Sequence, residues 1–332
     1  LFLISTQPTE GFKPKSIVRE DLEIQSGRKS AGMGNARSPS IYSPSPEVEE
    51  MFSRKIAAGR RRMRDSRVVI CGLARDIEDV FSETASAIER LGAAFSAYQV
   101  VLFENDSTDQ TQQLLLDWSL QNGCVTLLSE DLGDPVNRSI RCLQRAARMA
   151  SYRNRYLDCI AEQYGDYDYT IVLDTDLGSG WHEDGVASTF GYKNWDFVGS
   201  YGILQRHDGH CYVPIHYDAW AFRVLGDDTP MKTKVVNEMK PEFDGRLMPV
   251  NSCFGGLGVY RMPALLSARY SGEDCEHVTF HRRMRATGYD RLFLNSWQTT
   301  HYGWREAKSW RVWHGLRERL KAISGIPKKR VA

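Results

Sequence analysis

Between residues 67 and 173 the chain alternates short apolar runs with segments of helical periodicity, and this alternation constrains the fold more than any other feature. Val68-Val69-Ile70-Cys71-Gly72-Leu73, Val100-Val101-Leu102-Phe103, Cys124 to Leu128 and Tyr169-Thr170-Ile171-Val172-Leu173 are continuous apolar stretches, the pattern of strands covered on both faces. Between the first two, Ile77, Val80, Phe81, Ala85, Ile88 and Leu91 recur at helical spacing. Thr111 to Asn122 reads as a helix closed by Gly123, and a long helix is expected over roughly Arg138 to Gln163. Such alternation gives an α/β fold with a mostly parallel sheet and helices on both faces.

The 332 residues allow one large domain or two small ones. Eight Trp, 13 Phe and 15 Tyr exclude a wholly disordered chain. Lys+Arg number 43 against 42 Asp+Glu, a balance with no general attraction to nucleic acid. No apolar run is long enough to span a bilayer. The seven cysteines are scattered without a CxxC pair, which reads as reduced core thiols rather than a disulfide or zinc framework. The chain opens at Leu1, which suggests processing and leaves room for a removed signal or anchor.

Residues 1–50 hold 17 Ser, Pro or Gly and no Trp, an extended arm without its own core. Ser45-Pro46 then opens a short helix, with Val48, Met51, Phe52 and Ile56 on one docking face. The run Arg60-Arg61-Arg62-Met63-Arg64 reads as a solvated face. Peripheral contact with anionic lipid headgroups, or with a charged acceptor, is its alternative. The expected organisation is therefore an arm and docking helix over 1–66, a catalytic domain over 67–305 and a basic C-terminal helix or tail over 306–332.

Ligands of such sheets bind beyond the carboxyl ends of the strands. After the first strand comes Ala74-Arg75-Asp76, and no GxGxxG occurs there, which counts against a dinucleotide fold. After the second comes Glu104-Asn105-Asp106-Ser107-Thr108-Asp109. Glu104 could accept hydrogen bonds from a base or ribose; the bland reading makes the whole turn a helix cap. After the fourth comes Asp174-Thr175-Asp176, a hard oxygen site suited to Mn²⁺ or Mg²⁺ carrying a diphosphate. The preceding helix is basic, with Arg138, Arg141, Arg145, Arg148, Arg153 and Arg155. Most of these read as a solvated face; Arg153 is singled out as a phosphate ligand.

Together these pieces resemble the GT-A superfamily of nucleotide-sugar-dependent glycosyltransferases, in the turn Glu104 to Thr111 and in Asp174-Thr175-Asp176. More narrowly, the chain is similar to the fungal capsule-associated alpha-1,3-mannosyltransferase family and its bacterial relatives. The carrying motifs are Ala150 to Asn154, His216 to Arg223, Val250 to Gly256 and Gly272 to His277. The resemblance covers about residues 67 to 305. It implies a Rossmann-like sheet and a GDP-mannose or other nucleoside diphosphate sugar donor. It also implies a glycan or other hydroxyl acceptor. Arg75 and Glu104 would line the nucleotide pocket, Asp174 and Asp176 would hold the metal, and Arg153 would neutralise the diphosphate. Asp218, Trp220, Glu276 and His277 would surround the reacting carbon and acceptor.

Breaking a glycosyl–phosphate bond leaves extra negative charge on the diphosphate, so preorganised positive charge there is the main requirement. A carboxylate near the oxocarbenium-like carbon can stabilise it or deprotonate the acceptor. Glu276 and Asp274 are the candidates, with Glu276 ahead. His277 and His281 are four apart but lack HExxH, so a zinc site is disfavoured. His301, in Thr299-Thr300-His301-Tyr302-Gly303-Trp304, sits in a loop-like setting as a candidate third metal ligand that would favour Mn²⁺. A sugar nucleotidyltransferase and a non-catalytic sugar-nucleotide-binding subunit are the rival readings. The acceptor sequon Asn105-Asp106-Ser107 falls in the nucleotide pocket, where a glycan would obstruct the donor, and this with the unpaired cysteines points to a cytoplasmic location, at the membrane surface if the basic run binds lipid. The Golgi lumen is the alternative. The sequence does not indicate an oligomeric state.

Overall fold

The computed structural model describes residues 45–137, 140–178, 180–207, 212–240, 242 and 244–302. The arm before residue 45, Arg138, Cys211, Trp304 and the tail 306–332 lie outside the described residues. The strands are β1 (Arg67–Ala74), β2 (Ala97–Asn105), β3 (Val125–Glu130), β4 (Tyr169–Asp174), β5 (Phe197–His207), β6 (Tyr212–His216), β7 (Arg223–Val224), β8 (Met248–Ser252), β9 (Leu257–Arg261) and β10 (Leu292–His301). The helices are α1 (Pro46–Arg64), α2 (Phe81–Gly92), α3 (Thr111–Gln121), α4 (Leu143–Gln163), α5 (Glu183–Gly191), α6 (Thr233–Glu238), α7 (Met262–Leu266) and α8 (Glu276–Ala286).

The strands form one sheet in the order β3-β2-β1-β4-β9-β5-β10-β8-β7, with β6 paired to β5. β3, β2, β1 and β4 are mutually parallel. β9 enters antiparallel between β4 and β5, and β10 is again parallel to β5. The expected mostly parallel sheet flanked by helices is therefore present. From β1 the chain winds outward to β3 and then crosses back to β4 on the other side of β1. This reversal opens a crevice at the carboxyl ends of β1 and β4, where such sheets bind ligands.

The run Val68-Val69-Ile70-Cys71 is fully buried because its alternate side chains enter two different cores. Val69 and Cys71 pack with Tyr152, Tyr156 and Ile160 of α4. Val68 and Ile70 pack with Ile88 of α2 and Phe190 of α5. All six cysteines among the described residues are free, as the scattered spacing predicts. Among those residues no helix is long and apolar enough to cross a membrane.

The docking helix is longer than the sequence suggests, because the arginine run continues it to Arg64. Glu47 and Glu49 in its first turn and Arg61, Arg62 and Arg64 in its last match the helix dipole. Gly59 lets it lie directly on α5, since a Cβ there would collide with the carbonyl oxygen of Ala187. Phe52 stacks on Trp297 at 4.0 Å. Part of the basic run is spent on this dock: Arg60 pairs with Asp184 at 2.5 Å, and Arg62 donates to the carbonyl of Tyr192 at 2.7 Å.

Candidate active site

Three loops wall the crevice, and their acidic residues mostly hold the loops together. Asp76, after β1, takes a left-handed φ of 52° and accepts hydrogen bonds from the backbone N–H and hydroxyl of Thr108 at 2.7 and 3.1 Å. Asp106 accepts the N–H groups of Leu132, Gly133 and Asp134 at 2.9, 2.7 and 3.2 Å. Burial acts to raise its carboxyl, but these bonds and the Asn105 amide hold it below the usual range. Arg75 donates to the carbonyls of Asp134 and Pro135 at 2.9 and 3.4 Å.

Glu104 does not face the crevice as expected. It is 1% exposed, and its two oxygens accept from the Ser107 N–H at 3.0 Å and the Ser129 hydroxyl at 2.5 Å. A carboxylate buried with both oxygens engaged fastens a turn, so the bland reading describes Glu104 better.

Two chambers meet in the crevice. The first, about 410 Å³, is lined by Arg75, Asp76, Asn105, Asn137, Tyr152 and Asp176 among others. The second, about 270 Å³, is lined by Asp218, Trp220, Phe254, Glu276 and His277 among others. Asp174, Arg145, Met149, Leu204 and Tyr217 belong to both walls. Asn105 is buried against the first chamber, so a glycan on it would displace whatever the chamber holds.

Asp174 closes β4 at this junction. Its carboxylate accepts the Tyr302 hydroxyl at 2.7 Å and stands 3.7 Å from the Arg153 guanidinium. Burial, with the neighbouring Asp176 charge, pushes the Asp174 carboxyl up to about 6. Repulsion of this kind is relieved by a cation, and two hard oxygen donors beside an open chamber fit Mn²⁺ or Mg²⁺. Tyr302 gets this close because Gly256 faces it: at φ 85°, a Cβ there would strike the Tyr302 hydroxyl.

His301 is not gathered into that set. Among the described residues, no three His, Cys, Asp or Glu side chains are grouped to hold a metal ion. The segment expected to be loop-like is the end of β10, which stays paired to β5 through His301. Successive strand side chains point to opposite faces. With Tyr302 turned to Asp174, His301 lies beside His182, and burial and that neighbour lower its imidazole.

Arg153 is 2% exposed. It donates to Glu276 and to the Tyr156 hydroxyl, each at 3.3 Å, and lies over the rings of Phe254 and Tyr270. It is therefore a buried counter-charge for Glu276 and Asp174, not an open phosphate ligand. Arg145 is the better placed arginine. It lines both chambers and its guanidinium lies 5.7 Å from the Trp220 ring centroid. Its buried Nε has no partner, and no carboxylate pairs with it among the described residues. Helical periodicity alone puts Arg145 with the solvated arginines, since it flanks the buried stripe of Ala146, Ala150 and Arg153.

Of the carboxylates around the second chamber, Asp274 is removed from contention. Arg223 grips it with two bonds of 3.1 and 2.8 Å, and it is not among the lining residues. Glu276 lines the chamber but is held by Arg153. Asp218 has φ 74° and accepts the Gly255 N–H at 3.2 Å. Burial, assisted by Asp174 and Glu276, pushes its carboxyl up to about 7 against the Gly255 and Ala221 N–H groups. An aspartate poised near neutrality in a cleft is a candidate acid or base. His281 is a core residue, bonded to Ser252 and Tyr260 at 2.9 Å each, which removes the His277–His281 pair as a zinc site.

Neither a protein-family model nor a curated protein sequence matches the chain. Among solved structures, it is similar to a mannosyltransferase from Pyrobaculum calidifontis in complex with GDP-Man and Mn²⁺, at 13% identity and a TM-score of 0.44 over 85% of this chain and 76% of that one. It is also similar to glucosyl-3-phosphoglycerate synthase from Mycobacterium tuberculosis, at 14% identity and a TM-score of 0.42 over 87% of both chains. A third is S. aureus TarS 1-349, at 14% identity and a TM-score of 0.42 over 71% of this chain. The chain spans 60% of that TarS fragment and 44% of GalNAc-T7, another similar structure.

Proposed function

We propose that the chain is a metal-dependent glycosyltransferase that takes a nucleoside diphosphate sugar, with GDP-mannose as the first donor to test, and passes the sugar to a hydroxyl of a glycan or similar acceptor. The observation that carries this reading is the meeting of two chambers at Asp174, beside Asp176 and the Arg145 guanidinium. The first chamber suits the nucleoside, and the junction suits the diphosphate. The second suits one sugar ring, that of the donor or that of the acceptor.

Asp174 and Asp176 would hold Mn²⁺ or Mg²⁺, which when bound supplies Lewis-acid stabilisation of the leaving diphosphate. Tyr302 orients the Asp174 carboxylate through its hydroxyl. Arg145 places a guanidinium against the developing phosphate charge, where preorganised cations lower the barrier most. Arg153 holds Glu276 and Asp174 in place from behind. Asp218 holds or takes a proton at the acceptor side if the reaction inverts configuration; a retaining reaction does not require it. We place the activity on a cytoplasmic face, supported by the burial of Asn105 against the nucleotide chamber.

The test is a thermal-shift panel of GDP, UDP and ADP, each with and without Mn²⁺, on the full chain. One diphosphate should raise the melting temperature only with metal, by mass action on the folded state, and Asp176→Asn should remove that rise. A panel in which no diphosphate shifts the wild type under either condition refutes the reading.

A further inference from the structure

We propose that the second chamber is a subsite for a single uncharged pyranose ring and that His277 is its specificity-determining residue, reading one ring hydroxyl. This deepens the proposed function by naming which side chain recognises the sugar and in which chamber.

His277 lines the chamber with only 4% of its side chain exposed. Neither ring nitrogen has a hydrogen-bond partner. The nearest carboxylate oxygen, on Glu276, is 3.9 Å from Nε2, beyond hydrogen-bond reach. An unmade bond on a buried polar group costs about 1–3 kcal/mol, and native proteins seldom leave one without a reason. Here the ring is also held still. It stacks on Phe254 at 3.9 Å and 18°, and meets Tyr270 edge-on at 5.9 Å. An imidazole fixed in the chamber wall, with both nitrogens unsatisfied and closed to water, gains a partner when a ligand presses into that wall.

The chemistry of that contact is limited. Burial, together with the charges of Arg153 and Arg145, keeps the imidazole neutral. A neutral imidazole offers one donor and one acceptor. A hydroxyl, which both gives and takes a hydrogen bond, matches whichever nitrogen faces it; an ammonium or a carboxylate matches only one. Asp218 and Glu276 on the same wall are offset by Arg141 and Arg145, so the chamber has no strong preference for either sign of charge. Trp220 supplies an apolar surface, and Thr233 and Asn237 of α6 add further polar groups. At about 270 Å³ the chamber lies below the usual range for drug-sized ligands, so one ring is what it can enclose.

Two sources could supply that ring, the donor's transferred sugar or the acceptor. The experiment separates them. His277→Phe keeps the stack on Phe254 and removes both nitrogens; His277→Gln returns a donor and an acceptor. Binding of methyl α-D-mannopyranoside and methyl α-D-glucopyranoside is followed by saturation-transfer NMR. GDP against GDP-mannose, and UDP against UDP-glucose, are compared by calorimetry with Mn²⁺. His277→Phe should weaken binding of a ring-bearing probe by about ten-fold or more, leave GDP and UDP unchanged, and be partly rescued by His277→Gln. Loss on the free glycosides assigns an acceptor ring, and loss confined to the nucleotide sugars assigns the transferred ring. In wild-type protein carrying ¹⁵N-histidine, the His277 ring nitrogens should shift when the same probes are added. A folded His277→Phe protein that binds every probe like wild type, or unmoved His277 nitrogens if that variant does not fold, overturns the inference. Failure of wild type to bind any diphosphate with Mn²⁺ overturns the proposed function instead, while the glycoside measurement still decides the subsite.

Discussion

Replacing Asp218 by Asn should stabilise the metal-free protein above neutral pH, although it removes a candidate catalytic group. Asparagine tolerates the left-handed backbone at this position, φ 74°, and its Oδ1 can still accept the Gly255 N–H. What changes is the charge. Raising a carboxyl from its ordinary 3.8 to about 7 corresponds to about 4 kcal/mol between ionised and neutral forms. Water in the open chamber screens part of this, so a gap of about 2–4 kcal/mol is expected. The sign follows from the raised value: the folded state binds the proton more tightly than the unfolded chain. Stability from this group is complete below about pH 4 and is lost as pH rises to about 7. Urea and thermal melts of wild type and Asp218→Asn, in EDTA from pH 4.5 to 8.5, should show the variant gaining on wild type up to about pH 7. Above that the gap should be constant, at about 5 °C or more in Tm. A pH-independent difference, or one that widens toward acid, refutes the account of Asp218.

Arg145→Ala should weaken nucleoside diphosphate binding by about ten-fold while leaving the monophosphate nearly unaffected, as read by calorimetry, because only the diphosphate reaches the junction. Arg153→Ala should instead destabilise the fold by about 3–5 kcal/mol in chemical denaturation, because it strands Glu276 and Asp174 without their buried counter-charge. Tyr302→Phe removes the hydroxyl that orients Asp174 and should lower Mn²⁺ affinity about ten-fold in a metal titration followed by nucleotide binding. Gly59→Val should lift α1 from α5, seen as faster proteolysis within residues 46–64 while the sheet stays protected.

The sheet was legible because its parallel half is written in apolar runs: Val68 to Gly72 and Tyr169 to Leu173 are buried on both faces and need no polar alternation. β10 was not, because it buries Asn295, Gln298 and Thr300. Their side chains bond to Ser188, Thr189, Ser200 and Gly255 from other elements, and a polar strand of this kind resembles a loop until those partners are known. The acidic strand ends were found, but their roles were not. Glu104 needed Ser129, and Asp274 needed Arg223, partners 25 and 51 residues away. The arginines were more accessible to reasoning. Arg153 shares the helical spacing of Ala146, Ala150, Tyr156, Leu157 and Ile160, the buried stripe of α4, so its burial could have been read from periodicity alone.

The dock of α1 on α5 also has a consequence for synthesis. Arg60 and its partner Asp184 are 124 residues apart, so the helix leaves the ribosome long before its seat exists. At about 5–20 residues per second this interval lasts about 6–25 s. During it, Phe52 lacks the Trp297 ring that later stacks on it, and Gly59 the Ala187 backbone it later lies against. The nascent chain therefore carries an exposed amphipathic segment, a natural target for chaperone capture. The dock is completed only when Trp297, 245 residues beyond Phe52, has been made and can stack on it.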